Sequence, residues 1–185
     1  MAATFNWCED NGTATGSPAR GTTRSGHGNT TYATDVNWKS VDNCTANSGT
    51  AYTSAPITAG TNSYTKYQYG KFTGTFTSIS NCKWGHSSGT LGTGLTLKGV
   101  VTSTYATPSQ TTNSALTENM TSAITVTSAG QSVSFSTTGP EAASPTSTLT
   151  AAGYTQYLAT QLQTTGGASS GDTATVTLQL TYDEV

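Results

Sequence analysis

The sequence predicts an all-β protein: an antiparallel β-sandwich, immunoglobulin-like or jelly-roll-like, with a long irregular N-terminal arm. Three observations predict it. Threonine exceeds one residue in five of the 185, with Ser, Gly and Ala filling much of the rest, and only 9% of the chain is charged, against roughly 25% in an ordinary globular protein. Nine Tyr, four Phe and three Trp separate it from disordered chains, which are charged and poor in aromatics. From about Pro56 onward, short apolar alternations recur between turn residues, the spacing of a sandwich. Thr and Tyr suit a pleated, half-buried surface, while Gly and Asn suit tight turns. No fixed period repeats along the chain, which disfavours a solenoid.

Residues 1–55 read as an extended arm or loop region, and residues 56–185 as the sandwich domain. After "TFNW" comes "CEDNGTATGSPARGTTRSGHGNTTYATD", small and polar with scarcely an apolar anchor. Structureless loops of this length are uncommon in compact domains and belong to function or to disorder. Phe5, Trp7, Val36 and Trp38 are the expected fixed points of this arm. Two stretches in it look alike, "NWCEDNG" from Asn6 and "NWKSVDNC" from Asn37. They read as two similar packing solutions, with Trp7 and Trp38 pinning the ends of an interaction loop and the neighbouring Asn, Asp and Glu side chains capping turns.

In the sandwich, "SYTKYQYGKFTGTF" puts Tyr67 and Tyr69 on odd positions and Phe72 and Phe76 on even ones. Such a parity switch across Gly70 predicts a β-bulge there. "GLTLKGVVTSTY" places Leu95, Leu97, Val101 and Tyr105 on one face. "AITVTSAGQSVSF" reads as a hairpin, with Ile124 and Val126 before an Ala-Gly turn and Val133 and Phe135 after it. "GYTQYLATQLQTT" fits a helix stripe or a strand. Its Thr content and the following "GGASSGD" favour a strand that hairpins into the C-terminal one. "LTAAGYTQY" resembles the Leu…Gly…Tyr corner of immunoglobulin-like sandwiches, one residue longer than usual. The closing "DTATVTLQLTYDEV" alternates Ala174, Val176, Leu178, Leu180 and Tyr182 with Thr and Gln, one buried face and one wet face.

Chemistry is harder to read. Net charge is −2 and the seven Lys and Arg are scattered, so no electrostatic footprint for nucleic acid is expected. No apolar run of about 20 residues spans a bilayer, and "MAATFNWCEDNG" lacks the basic and apolar regions of a secretory signal. Synthesis in the cytoplasm is therefore expected, with free thiols the default for Cys8, Cys44 and Cys82. A Cys8–Cys44 bridge belongs only to an oxidising environment. Cys82 and His86, joined by Cys8 and Cys44, could close a tetrahedral zinc site, but the set lacks a Cys-x-x-Cys knuckle, and Cys82 reads as a small hydrophobe beside Trp84. "GHSSG" lacks the strained elbow that exposes a serine nucleophile. The acidic pairs Glu9/Asp10 and Asp183/Glu184 read as solvated surface. Trp7, Trp38 or Trp84, if exposed, would suit sugars. Thr-x-Thr pairs are too irregularly spaced for an ice-binding ladder.

"PITAGTNSYTKYQYGKFTGTFTSISNCKW" (Pro56 to Trp84) and "GYTQYLATQLQTT…GDTATVTLQLTYDEV" resemble small Thr/Gly/Ala-rich structural proteins of tailed bacteriophages. The resemblance covers most of the sandwich and is weaker in the arm. It implies an assembly component of the virion, several such β-rich proteins being capsid decoration or cement proteins, and it supplies no catalytic residues to carry over. The expected role is therefore non-enzymatic, with no cofactor. The expected partners are the major capsid protein or other virion subunits and further copies of the chain, with no nucleic acid and no membrane. Phe5, Trp7, Val36, Trp38 and Trp84 are the expected interaction anchors, because tryptophan is enriched among them. A neck, tail or head-fibre component and a carbohydrate-binding module or adhesin are the alternatives.

Overall fold

A computed structural model describes residues 2–12, 38–42, 55–121, 124–125, 129–169 and 176–185. Within them the chain forms ten strands: β1 (Thr4–Asp10), β2 (Lys66–Thr73), β3 (Ile79–Gly89), β4 (Leu95–Thr102), β5 (Glu118–Asn119), β6 (Gln131–Ser132), β7 (Phe135–Ser136), β8 (Gly153–Thr155), β9 (Tyr157–Thr164) and β10 (Val176–Glu184). All named pairings are antiparallel. A seven-stranded sheet runs β5-β4-β9-β2-β8-β7, with β1 also on β2, and a three-stranded sheet runs β10-β3-β6. The expected all-β antiparallel sandwich is the fold.

The main core lies between the two sheets. The large sheet contributes Phe72, Leu97, Phe135 and Leu158, and the small sheet contributes Cys82 and Trp84. Trp84 fits because Gly99 has no side chain: a Cβ there would lie 3.1 Å from the indole and 2.7 Å from Met120 Cγ. A second cluster covers the outer face of the large sheet, with Cys8, Tyr67, Tyr69, Tyr105, Leu116, Tyr157 and Ala159. The segment that supplies Tyr105 and Leu116 is pinned by the buried Gln161. Its amide donates to the carbonyls of Ser63, Ser109 and Thr111, and its oxygen accepts from Asn113 N.

This double covering corrects several expectations. The parity switch at Gly70 is not a bulge in β2, whose register with β1 is unbroken from Thr4↔Thr73 to Asp10↔Tyr67. Tyr67 and Tyr69 face the outer cluster while Phe72 faces the main core, because both faces of β2 are buried. The extra residue sits on the partner, where the register shifts between Gln68↔Leu158 and Lys71↔Tyr154. Gly70 is instead a slot: a Cβ would lie 2.5 Å from the Phe5 ring. Tyr105 lies beyond β4, in the outer cluster, and does not share the Leu97 face.

β9 is a strand, as its Thr content favours, but it does not hairpin into β10. It pairs with β4 and β2, whereas β10 pairs with β3 in the other sheet. The physical reason is burial on both sides, Leu158 into the main core and Tyr157 and Ala159 into the outer cluster, which demands a central position. The segment expected as a hairpin divides between the sheets: β6 pairs with β3 and β7 with β8. Val126 lies outside the described residues. No tyrosine corner forms at Tyr157, whose hydroxyl donates to Asp10 across the outer cluster.

The arm expected over residues 1–55 does not hold for Thr4–Asp10, which is a full strand of the large sheet. Val36 and Cys44 lie outside the described residues. β10 keeps the expected alternation, with Val176, Leu178, Leu180 and Tyr182 packed on the core. Its register shifts against β3 place the extra residues on β3, one beside Asn81, whose φ of 50° is a left-handed conformation asparagine tolerates.

Candidate buried polar site at the end of the first strand

The first strand ends in "CEDNG", and its alternation sends successive side chains to opposite faces. Cys8 and Asp10 enter the outer cluster, and Glu9 enters the opposite side. Asp10 accepts the Tyr157 hydroxyl at 2.5 Å and the Tyr69 hydroxyl at 3.2 Å. Around it the tyrosine rings pack edge to face or tilted, Tyr67 against Tyr105 at 4.7 Å and against Tyr157 at 5.5 Å. Burial raises the pKa of the Tyr67 hydroxyl, partly offset by hydrogen bonds with the Ala106 backbone and the Asn113 side chain.

On the other face Glu9 forms an ion pair with Lys66 at 3.0 Å, both side chains only 1% exposed. Asn11 donates its amide to Glu9 Oε1 at 2.7 Å and to Asp42 Oδ1 at 2.9 Å. Asp42 Oδ2 accepts the Gly12 backbone N–H at 2.8 Å, and the Gly12 carbonyl accepts the Tyr105 hydroxyl at 2.6 Å. The Asn11 Oδ1 atom is buried without a hydrogen-bond partner, which costs about 1–3 kcal/mol. Thus the two look-alike stretches do meet. Asn11 and Gly12 of the first hold Asp42 of the second, and the ends of the intervening segment are tied together.

The expected anchors that lie among the described residues, Phe5, Trp7, Trp38 and Trp84, turn inward. Phe5 packs edge-on against Trp7 at 5.0 Å and Phe72 at 5.1 Å. Trp7 and Trp38 pack on the main core, and the Trp38 indole donates to Thr160 Oγ1 at 3.0 Å. Trp84 is 2% exposed within that core, so it is neither an interaction anchor nor a sugar platform. The reading of Glu9 and Asp10 as solvated surface is likewise overturned, since both are buried. Sequence reasoning missed Glu9, Asp10, Asn11, Asp42 and Lys66. The available signal was the likeness of the two stretches, whose acidic and amide groups satisfy one another.

The other candidates are dispersed. Cys8 belongs to the outer cluster and Cys82 to the main core, so they share no site, and His86 Nε2 lies 2.8 Å from the Gly89 carbonyl of its own strand. Glu9 and Asp10, pointing through opposite faces, cannot flank a glycosidic bond as a hydrolase pair must. A shallow polar groove is lined by Gly60, Thr61, Asn62, Gln110, Thr111 and Thr112. What the strand-end arrangement offers chemically is an amine, a carboxylate and a primary amide in contact, out of water.

No family model, no curated protein and no solved structure matches the chain.

Proposed function

We propose that this chain is a bacteriophage virion structural protein, a capsid decoration or cement protein that binds capsid subunits and its own copies. The observation that carries the reading is the edge of β10. Among the described residues β10 has a neighbour only on its β3 side. From Val176 to Tyr182 it has no charge and no proline, and its bulges fall on the partner strand. Such an edge lacks the devices by which proteins prevent strand addition.

The edge is also self-complementary. Antiparallel pairing of two copies about Gln179 sets Thr177 against Thr181, Leu178 against Leu180 and Val176 against Tyr182, matched pairs of the kind that stabilise sheets. No like charges oppose one another within this span, since Asp183 and Glu184 fall beyond it. Composition supports the same reading: a lightly charged chain rich in small polar residues, resembling virion structural proteins, suits close packing among subunits.

Analytical ultracentrifugation and binding to purified phage capsids test the proposal together. The expected result is a concentration-dependent dimer and saturable capsid binding. Gln179→Lys, on the exposed face, sets two like charges opposite each other and should abolish the dimer while leaving the melting temperature within a few degrees. A strictly monomeric protein without affinity for capsid, or location of the chain in the neck, tail or head fibre by electron microscopy of the virion, would remove the decoration role.

A further inference from the structure

Asn11 and Lys66 meet at the end of the β1–β2 ladder. Its last pair is Asp10↔Tyr67; Asn11 follows β1 directly and Lys66 is the first residue of β2. One oxygen joins them: Glu9 Oε1 accepts from Lys66 Nζ at 3.0 Å and from Asn11 Nδ2 at 2.7 Å. All three side chains are buried.

We propose that Lys66 and Asn11 become joined by an intramolecular isopeptide bond, with Glu9 carrying the protons. The Lys66 ammonium passes a proton to Glu9 along their hydrogen bond, and the amine nitrogen adds its lone pair to Asn11 Cγ. Glu9 gives that proton to Nδ2 and takes one from the newly bonded nitrogen. The tetrahedral carbon collapses, the Cγ–Nδ2 bond breaks and ammonia departs, taking the proton from Glu9 to leave as ammonium. One C–N bond forms and one breaks, no electrons are gained or lost, and Glu9 ends as it began.

Two features favour the reaction over a static ion pair. Fixing amine and amide on one buried carboxylate oxygen makes the attack effectively unimolecular, which removes most of its entropic barrier. The Asn11 amide is also poorly suited to a purely structural role, since its carbonyl oxygen is buried without a partner. Asn11 precedes Gly12, a pairing prone to cyclic imide formation by attack of the Gly12 nitrogen. Here that N–H is engaged by Asp42 Oδ2 at 2.8 Å. The bond would close residues 11–66 into a covalent ring across the mouth that Asp42 already ties. The inference concerns the single chain and is independent of the assembly role.

Intact-mass spectrometry of the full chain, freshly purified and after prolonged warm incubation, tests it. The expected mass lies below the sequence mass by one ammonia. Trypsin should fail to cut after Lys66 and should yield a branched peptide containing Asn11 and Lys66. Glu9→Gln and Lys66→Arg should regain the full mass of their sequences. A wild-type chain at full mass that is cleaved after Lys66 overturns the proposal whether or not the variants fold. An ammonia loss that persists in Lys66→Arg overturns it too, because it would mark a cyclic imide with Gly12.

Discussion

Glu9 and Asp10 are adjacent in the chain and point through opposite faces of one sheet, each into its own buried partner set. Glu9 meets Lys66 and Asn11 on one side, and Asp10 meets Tyr69 and Tyr157 on the other. A strand whose two faces both bury a carboxylate is held from both sides, which locks the first strand to the second. In the chain before any ammonia is lost, removing one member of the buried ion pair strands the other charge. Lys66→Met should therefore destabilise by about 3–5 kcal/mol, read as a lowered urea midpoint. Lys66→Met combined with Glu9→Leu should recover much of that loss.

The two tyrosines on Asp10 should not be equivalent. The Tyr157 hydroxyl lies at 2.5 Å and the Tyr69 hydroxyl at 3.2 Å, and a hydrogen bond to a charged group contributes about 1.5–3 kcal/mol. Tyr157→Phe should cost an amount within that range and Tyr69→Phe clearly less, measured by chemical denaturation. Asp10→Asn should lower stability by at least as much as Tyr157→Phe.

Gly70 and Phe5 should be coupled. A methyl group at Gly70 would overlap the Phe5 ring, and overpacking costs about 1–3 kcal/mol. Gly70→Ala should be destabilising in the wild-type background and much less so with Phe5→Ala. A double-mutant cycle that finds the two effects additive would contradict the slot.

Alkaline stability should depend on Cys82. Burial pushes this thiol from its ordinary value of 9.0 up to about 12, and the charge of Lys83 opposes the shift. Between these values the unfolded chain loses the proton that the folded chain keeps. The stabilisation is thus complete below about pH 9 and disappears as pH approaches about 12. Denaturant midpoints followed across this window should fall, and should fall less steeply in Cys82→Ala. Tyr67, also raised by burial, should sustain part of the decline in that variant.

Gln161 should hold the cover of the outer cluster in place. Gln161→Leu removes the donor to three carbonyls and the acceptor of the Asn113 amide, at about 1–3 kcal/mol for each group left buried and unpaired. Hydrogen exchange should accelerate first at residues 105–116, before any change in the β3–β10 pair.

Local pattern was enough for several features. Threonine-rich alternation determined the strand character of β2, β4, β9 and β10, and the period of two in "VTLQLTY" determined which side of β10 faces the core. These are legible because side-chain direction in a strand follows from position alone. Tertiary structure alone decided how strands were shared between sheets and which polar residues were buried. "CEDNG" has the composition of a surface turn, and nothing within it announces that Lys66, fifty-five positions beyond Asn11, will share the Glu9 oxygen. The β2 alternation looked broken because a sequence read for one wet face cannot express a strand buried on both. Burial is a property of what lands on a residue from elsewhere in the chain, so a carboxylate destined for the interior is written in the same letters as one destined for water.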